Sequence, residues 1–72
     1  MERYLITPSD KPGWLVVHDK ESGVILRFEK HRFNETQEVQ LTQPITNPNE
    51  AARIMREIGD YMYNYHQDLI FL

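Results

Sequence analysis

Two hydrophobic periods run along the chain, and they change over near Pro48. Before that point apolar residues alternate with polar ones or gather in short runs, and after it they return at helical steps. Residues 3–7 (Arg-Tyr-Leu-Ile-Thr) have high strand propensity and are stopped by Pro8, while 8–13 (Pro-Ser-Asp-Lys-Pro-Gly) is dense in turn formers. Two further strands are predicted at 14–18 and 24–29, joined by a hairpin loop over 19–23 in which Gly23 is free to take positive φ.

In the second of these strands Val24, Leu26 and Phe28 alternate with Ile25, Arg27 and Glu29, and the charge-free set is assigned to the core. A four-residue loop puts Leu15 and Val17 on that same face. A slip of one residue would put Trp14, Val16 and His18 there instead, and both registers stay open at this point. A fourth strand is predicted at 38–42 with Val39 and Leu41 pointing inward, after a connection over 31–37 in which Asn34 tolerates turn geometry.

A helix is predicted over 48–68. Asn47 suits the cap, Pro48 the first helical position, and Glu50 stands where its side chain can reach back to the cap amide. Ala51, Ile54, Met55, Ile58, Tyr61, Met62, Tyr65 and Leu69 form one apolar stripe. The opposite face carries Arg53, Glu57, Asp60 and Asn64, with Arg53–Glu57 and Arg56–Asp60 at salt-bridge spacing. Gly59 interrupts the helix, either to admit a close approach or because the stripe tolerates it. The sum is one α+β domain spanning 1–72, in two layers: a three- to four-stranded antiparallel sheet with one C-terminal helix packed on one face.

Composition changes this picture little. The chain has 72 residues and no cysteine, so disulfides, thiolate zinc sites and cysteine nucleophiles are excluded, and a core this small leaves self-association as a source of stability. The formal charge of −3 opposes strong non-specific binding to nucleic acid. Residues 1–33 hold six basic and five acidic groups, and residues 34–72 hold two and six. The opening Met-Glu-Arg-Tyr-Leu-Ile is too short and charged for a secretion signal, and no run approaches the ~20 apolar residues of a membrane span. A cytoplasmic location without membrane attachment is therefore expected, and the glycosylation-like Asn34-Glu35-Thr36 is read as a chance match.

One helix covers one face of a sheet. On the register favoured above, the uncovered face carries Trp14, Val16 and His18 on one strand and Ile25, Arg27 and Glu29 on the next, which is apolar for a face turned to water. An aromatic anchor with aliphatic neighbours and polar Arg27 and His18 is the make-up of an interface centre, so Trp14, Val16, His18, Ile25 and Arg27 are the candidate partner-binding residues. The competing reading puts Trp14 under the 8–13 loop or inside the core. Leu69-Ile70-Phe71-Leu72 poses the same choice, between tucking against the sheet edge and pairing with another subunit.

Chemistry is sparse. His18, His31 and His66 share no ligand spacing, Ser9 and Ser22 lie in turns, and the carboxylates Glu35, Glu38, Glu57 and Asp60 read as solvated charge. Gly13, Gly23 and Gly59 stand too far apart for a phosphate loop. No catalytic residue, metal or cofactor is expected. Arg27, Lys30, His31 and Arg32, with Trp14 and Phe33, make the alternative case for nucleic-acid binding, interrupted by Glu29. The acidic helix residues Glu50, Glu57, Asp60 and Asp68 read as an ordinary soluble face, partly neutralised by Arg53 and Arg56. The expected function is a small non-enzymatic interaction or accessory module working through the open sheet face, with a protein partner or as a homodimer.

Overall fold

Each strand is joined to the next by a connection of four to eight residues, so neighbours in the chain become neighbours in the sheet. The computed structural model describes residues 2–71. Strands β1 (Tyr4–Pro8), β2 (Trp14–Asp19), β3 (Val24–Glu29) and β4 (Glu38–Leu41) form one antiparallel sheet in the order β1-β2-β3-β4. Helix α1 (Pro48–Tyr65) and the short α2 (Gln67–Ile70) follow. The helices pack on one sheet face, which makes the two-layer α+β fold expected from the patterning.

The register resolves the alternative left open above. Leu15 pairs with Phe28 and Val17 with Leu26, so these four share the helix side, and Trp14, Val16 and His18 lie on the other. Val17, Val24, Leu26 and Phe28 meet Ile54, Ile58 and Met62 of α1 in the core. The parity is set by the four-residue turn Lys20–Gly23, where Gly23 has φ +79° and its amide donates to the Asp19 carbonyl (2.8 Å). A Cβ at Gly23 would collide with the Thr42 hydroxyl, so glycine is required there on two counts.

Asp19 is the largest departure from expectation. It ends β2 rather than opening the hairpin loop, it falls on the helix side two residues beyond Val17, and its side chain is 0% exposed. Arg3 meets it with a fork, Nε to Oδ1 and Nη2 to Oδ2, both at 2.9 Å, and the same Nη2 donates to Glu57 Oε1 of α1 at 3.0 Å. The Ser22 hydroxyl (2.7 Å) and the Glu21 amide (3.0 Å) complete the shell. Burial pushes the Asp19 carboxyl up, but the hydrogen bonds from Arg3, Ser22 and the Glu21 amide outweigh it and hold the group below the ordinary carboxylate value. Glu57, expected on the solvent face, is drawn inward by the Arg3 bond and lowered by it, with Arg53 supporting it at 3.1 Å. Arg56 and Asp60 form no such pair among the described residues.

The helix starts as expected, with the Asn47 side chain accepting from the Asn49 amide at 2.9 Å and Pro48 leading the first turn. Glu50 does not reach back; it stands 3.9 Å from Arg53. The predicted end at 68 is corrected. Asn64, Tyr65 and His66 are weak helix formers, and His66 leaves helical geometry (φ −139°, ψ 42°) while its amide closes the last turn on Met62. The break swings α2 round. Ile70, not a stripe position, enters the core, whereas Tyr65, a stripe position, is 72% exposed. His31, at φ +70°, ties this segment to the end of β3, its amide donating to the Leu69 carbonyl (2.8 Å) and its ring Nε2 to that of Asp68 (3.1 Å). Ile70 therefore takes the tucked alternative. Phe71 stays half exposed against Tyr63, and Leu72 lies outside the described residues.

Gly59 has nothing within 4 Å of where a Cβ would stand, so no close approach requires it. Gly59→Ala is expected to stabilise the domain by about 1 kcal/mol, raising the melting temperature by roughly 4–8 °C in a calorimetric scan. Arg3→Met leaves the buried carboxylate without its cation and should cost about 3 kcal/mol, the low end for a broken buried pair because Arg3 is 28% exposed. Since the Asp19 pKa is depressed in the fold, its contribution is complete above the unfolded value of ~3.9 and is lost as pH falls through the lower folded value. Urea titrations between neutral pH and pH 2 should show this loss in the wild type. They should show the opposite slope in Arg3→Met, where protonation relieves an unpaired buried charge.

Candidate functional site

Among the described residues no element lies over the face away from the helices, and strand pairing arranges its side chains in rows. One row runs Leu5, His18, Ile25, Gln40 across β1 to β4, and the next runs Thr7, Val16, Arg27, Glu38. Trp14 stands beyond them, paired with Glu29. Leu5 and Ile25 flank His18 directly, and Val16, two residues along β2, is diagonal to both, so three apolar side chains surround His18. The candidate residues Trp14, Val16, His18, Ile25 and Arg27 thus lie on one surface, each partly exposed.

Trp14 is neither core nor free. Its amide donates to the Lys11 carbonyl (3.1 Å), which folds the 8–13 loop back so that Lys11 Nζ lies 3.9 Å from the ring centroid. This is a cation–π contact, worth roughly 0.5–1 kcal/mol at an exposed site, and it favours this placement of the indole on the open side. The loop does reach the indole, but not to cap the core with it. Arg27 Nη1 donates to Gln40 Oε1 at 2.9 Å, so the guanidinium is held across the face toward β4.

The basic cluster does not assemble. Arg27 belongs to the open face, while Arg32 is held between Glu35 (2.9 Å) and Glu29 (3.3 Å), which raise its pKa, Glu35 foremost. His31 is committed to the C-terminal segment, and Lys30 is exposed with its amide bonded to the Gly13 carbonyl (2.9 Å). Phe33, expected near the cluster as a stacking ring, is buried edge-on against Phe28 at 5.0 Å between centroids. Its burial was masked by its place in a polar connection.

Other chemistry is accounted for by structure. Ser9 and Ser22 cap their turns, and Thr36 of the glycosylation-like triplet accepts from the Glu29 amide (2.9 Å) and donates to the Arg32 carbonyl (2.7 Å). The His66 ring lies 3.1 Å from the Tyr61 hydroxyl. A shallow, open cleft of about 270 Å³ is lined by Glu2, Arg3, Lys20 and Glu21, a mixed-charge set whose arginine is used in the fold. Among the described residues no group of three or more His, Asp or Glu side chains is placed to hold a metal ion, and no helix is long and apolar enough to cross a membrane.

Two members of the open face escaped sequence reasoning. Leu5 joins it because β1 pairs in the register Leu5–His18, and Lys11 joins it through the loop. The alternation Tyr4, Ile6 against Leu5, Thr7 carried a signal for the first; nothing in the sequence marked the second. No protein-family model matches the chain, and no curated protein or solved structure is significantly similar to it. The single tryptophan makes the site its own reporter. Acrylamide should quench its emission in the folded protein far more than a buried indole allows, and Lys11→Ala should increase that quenching with little change in melting temperature.

Proposed function

We propose that this protein is a small non-enzymatic interaction module that docks a protein partner through the open face of its sheet, as an accessory or regulatory component in the cytoplasm. One observation carries the reading: a sheet face with no layer over it still presents Leu5, Trp14, Val16 and Ile25 together. Water alone favours a polar face there. In the proposed mechanism the indole, with Lys11 against its ring, enters an apolar pocket of the partner. Val16, Ile25 and Leu5 are buried around it, and Arg27 and His18 set the orientation through hydrogen bonds.

The nucleic-acid alternative has less support from this geometry. It needs Arg27, Lys30, His31 and Arg32 to act together with stacking rings, but Arg32 is neutralised, His31 is occupied and Phe33 is internal.

A photo-crosslinking residue in place of Thr7, exposed on this face, should form adducts with a discrete protein in cell extract, while one in place of Asn49 on the helix should not. With that protein purified, Trp14→Ala should weaken binding about 30-fold, or ~2 kcal/mol, while changing folding stability by less than ~1 kcal/mol. Equal losses of binding and stability, or adducts from both positions alike, would overturn the proposal.

A further inference from the structure

The two edges of the sheet are built differently. At β1 the amide of Lys20 donates to the Arg3 carbonyl (2.8 Å) and that of Ser9 to the Trp14 carbonyl (3.0 Å), so Leu5 and Thr7 turn their backbone groups toward β2 while Tyr4, Ile6 and Pro8 turn theirs outward. Pro8 has no amide to offer, and the side chains of Tyr4 and Ile6 are packed against the core. That edge is blunted.

At β4 the Thr42 amide donates to the Gly23 carbonyl (3.2 Å), which turns Glu38 and Gln40 toward β3 and leaves the N–H and C=O groups of Val39 and Leu41 pointing outward. Their side chains project to the helix side, level with the buried Leu26 and Val24, yet they are 50% and 49% exposed because α1 does not extend over β4. The strand contains no proline or lysine to discourage pairing.

We propose that a second copy of this chain covers the β4 edge, pairing β4 antiparallel with itself about a two-fold axis through Gln40, perpendicular to the sheet. The strand is self-complementary about that residue. Val39 faces Leu41 of the second copy, so the outward backbone groups meet each other, and Glu38, the one charge on the strand, faces a neutral Thr42. The neighbouring registers do worse: centring on Val39 sets Leu41 against Gln37, and centring on Leu41 sets Val39 against Gln43. A perpendicular axis keeps both α1 helices on one side, with two Val39–Leu41 pairs filling the gap between them, and extends the sheet to eight strands. The contact is short, so the dimer is a weak one that dissociates on dilution to about micromolar concentrations.

The inference does not rest on the open face, and the test separates the two. Sedimentation equilibrium of the full chain should show a monomer–dimer equilibrium, with the Val39 and Leu41 amides gaining exchange protection as concentration rises. Val39→Lys and Leu41→Glu should each weaken association at least about tenfold with their thermal melts close to wild type, whereas an equimolar mixture of the two should restore it, since the lysine at 39 then faces the glutamate at 41. Trp14→Ala should leave the dimer intact. A chain monomeric up to about millimolar concentration, a mixture that fails to restore pairing, or a dimer lost in Trp14→Ala but kept in Val39→Lys would overturn it.

Discussion

The arrangement depends on one buried carboxylate that has to be matched. Asp19 is enclosed beneath the helix layer at the end of β2, and water cannot reach it there. Its charge is met by Arg3, just ahead of β1, and from the turn by Ser22 and the Glu21 amide, and through Arg3 it is linked to Glu57 on α1. The Arg3 guanidinium thereby joins the chain ahead of β1 to the end of β2 and to α1. The attraction within such a cluster is largely offset by the loss of hydration, while leaving any member unmatched is expensive. What the cluster confers is orientation: it selects the rotation of α1 that brings Glu57 to Arg3 and, with it, Ile54, Ile58 and Met62 over the sheet. No buried polar side-chain atom among the described residues lacks a partner.

That orientation decides what remains outside. With α1 placed toward the β1 side by Arg3–Glu57 and by the contact of Tyr4 with Tyr61 (4.4 Å between centroids), β4 lies beyond the helix, and the far face of the sheet has no cover among the described residues. Both exposed apolar regions therefore follow from having a single long helix over a sheet wider than the helix can shelter. On the open face local contacts join side chains, Lys11 to Trp14 and Arg27 to Gln40, whereas Val39 and Leu41 on the other side of β4 stay half exposed.

Much of the architecture was legible in the chain because it is written locally. Alternation in 24–29 separates Val24, Leu26 and Phe28 from charge without reference to anything else, and Asn47-Pro48 marks a helix start by its own chemistry. The open-face residues were legible for the same reason, once parity was decided. What was not legible depends on contacts far along the chain. Asp19 looks like a turn residue until Arg3 is known to lie beside it, and Phe33 looks like part of a polar connection until Phe28 is seen to receive it. Val39 and Leu41 carry the right periodicity for a core, but periodicity reports the direction of a side chain and not the extent of the layer above it. The break at His66 escaped detection because the apolar stripe continues through it to Leu69.

The sequential strand order also bears on how the chain is made. Hairpins between adjacent strands close over a few residues, whereas the bonds that bring the helices home, Arg3 to Glu57 and His31 to Leu69, span far longer stretches and incur a larger entropic loss. During synthesis the sheet emerges before the helix that shelters it, so for an interval a nascent ribbon is apolar on both sides. In that interval the ribbon's exposure to aggregation adds to that of the β4 edge, which stays unpaired in the folded chain.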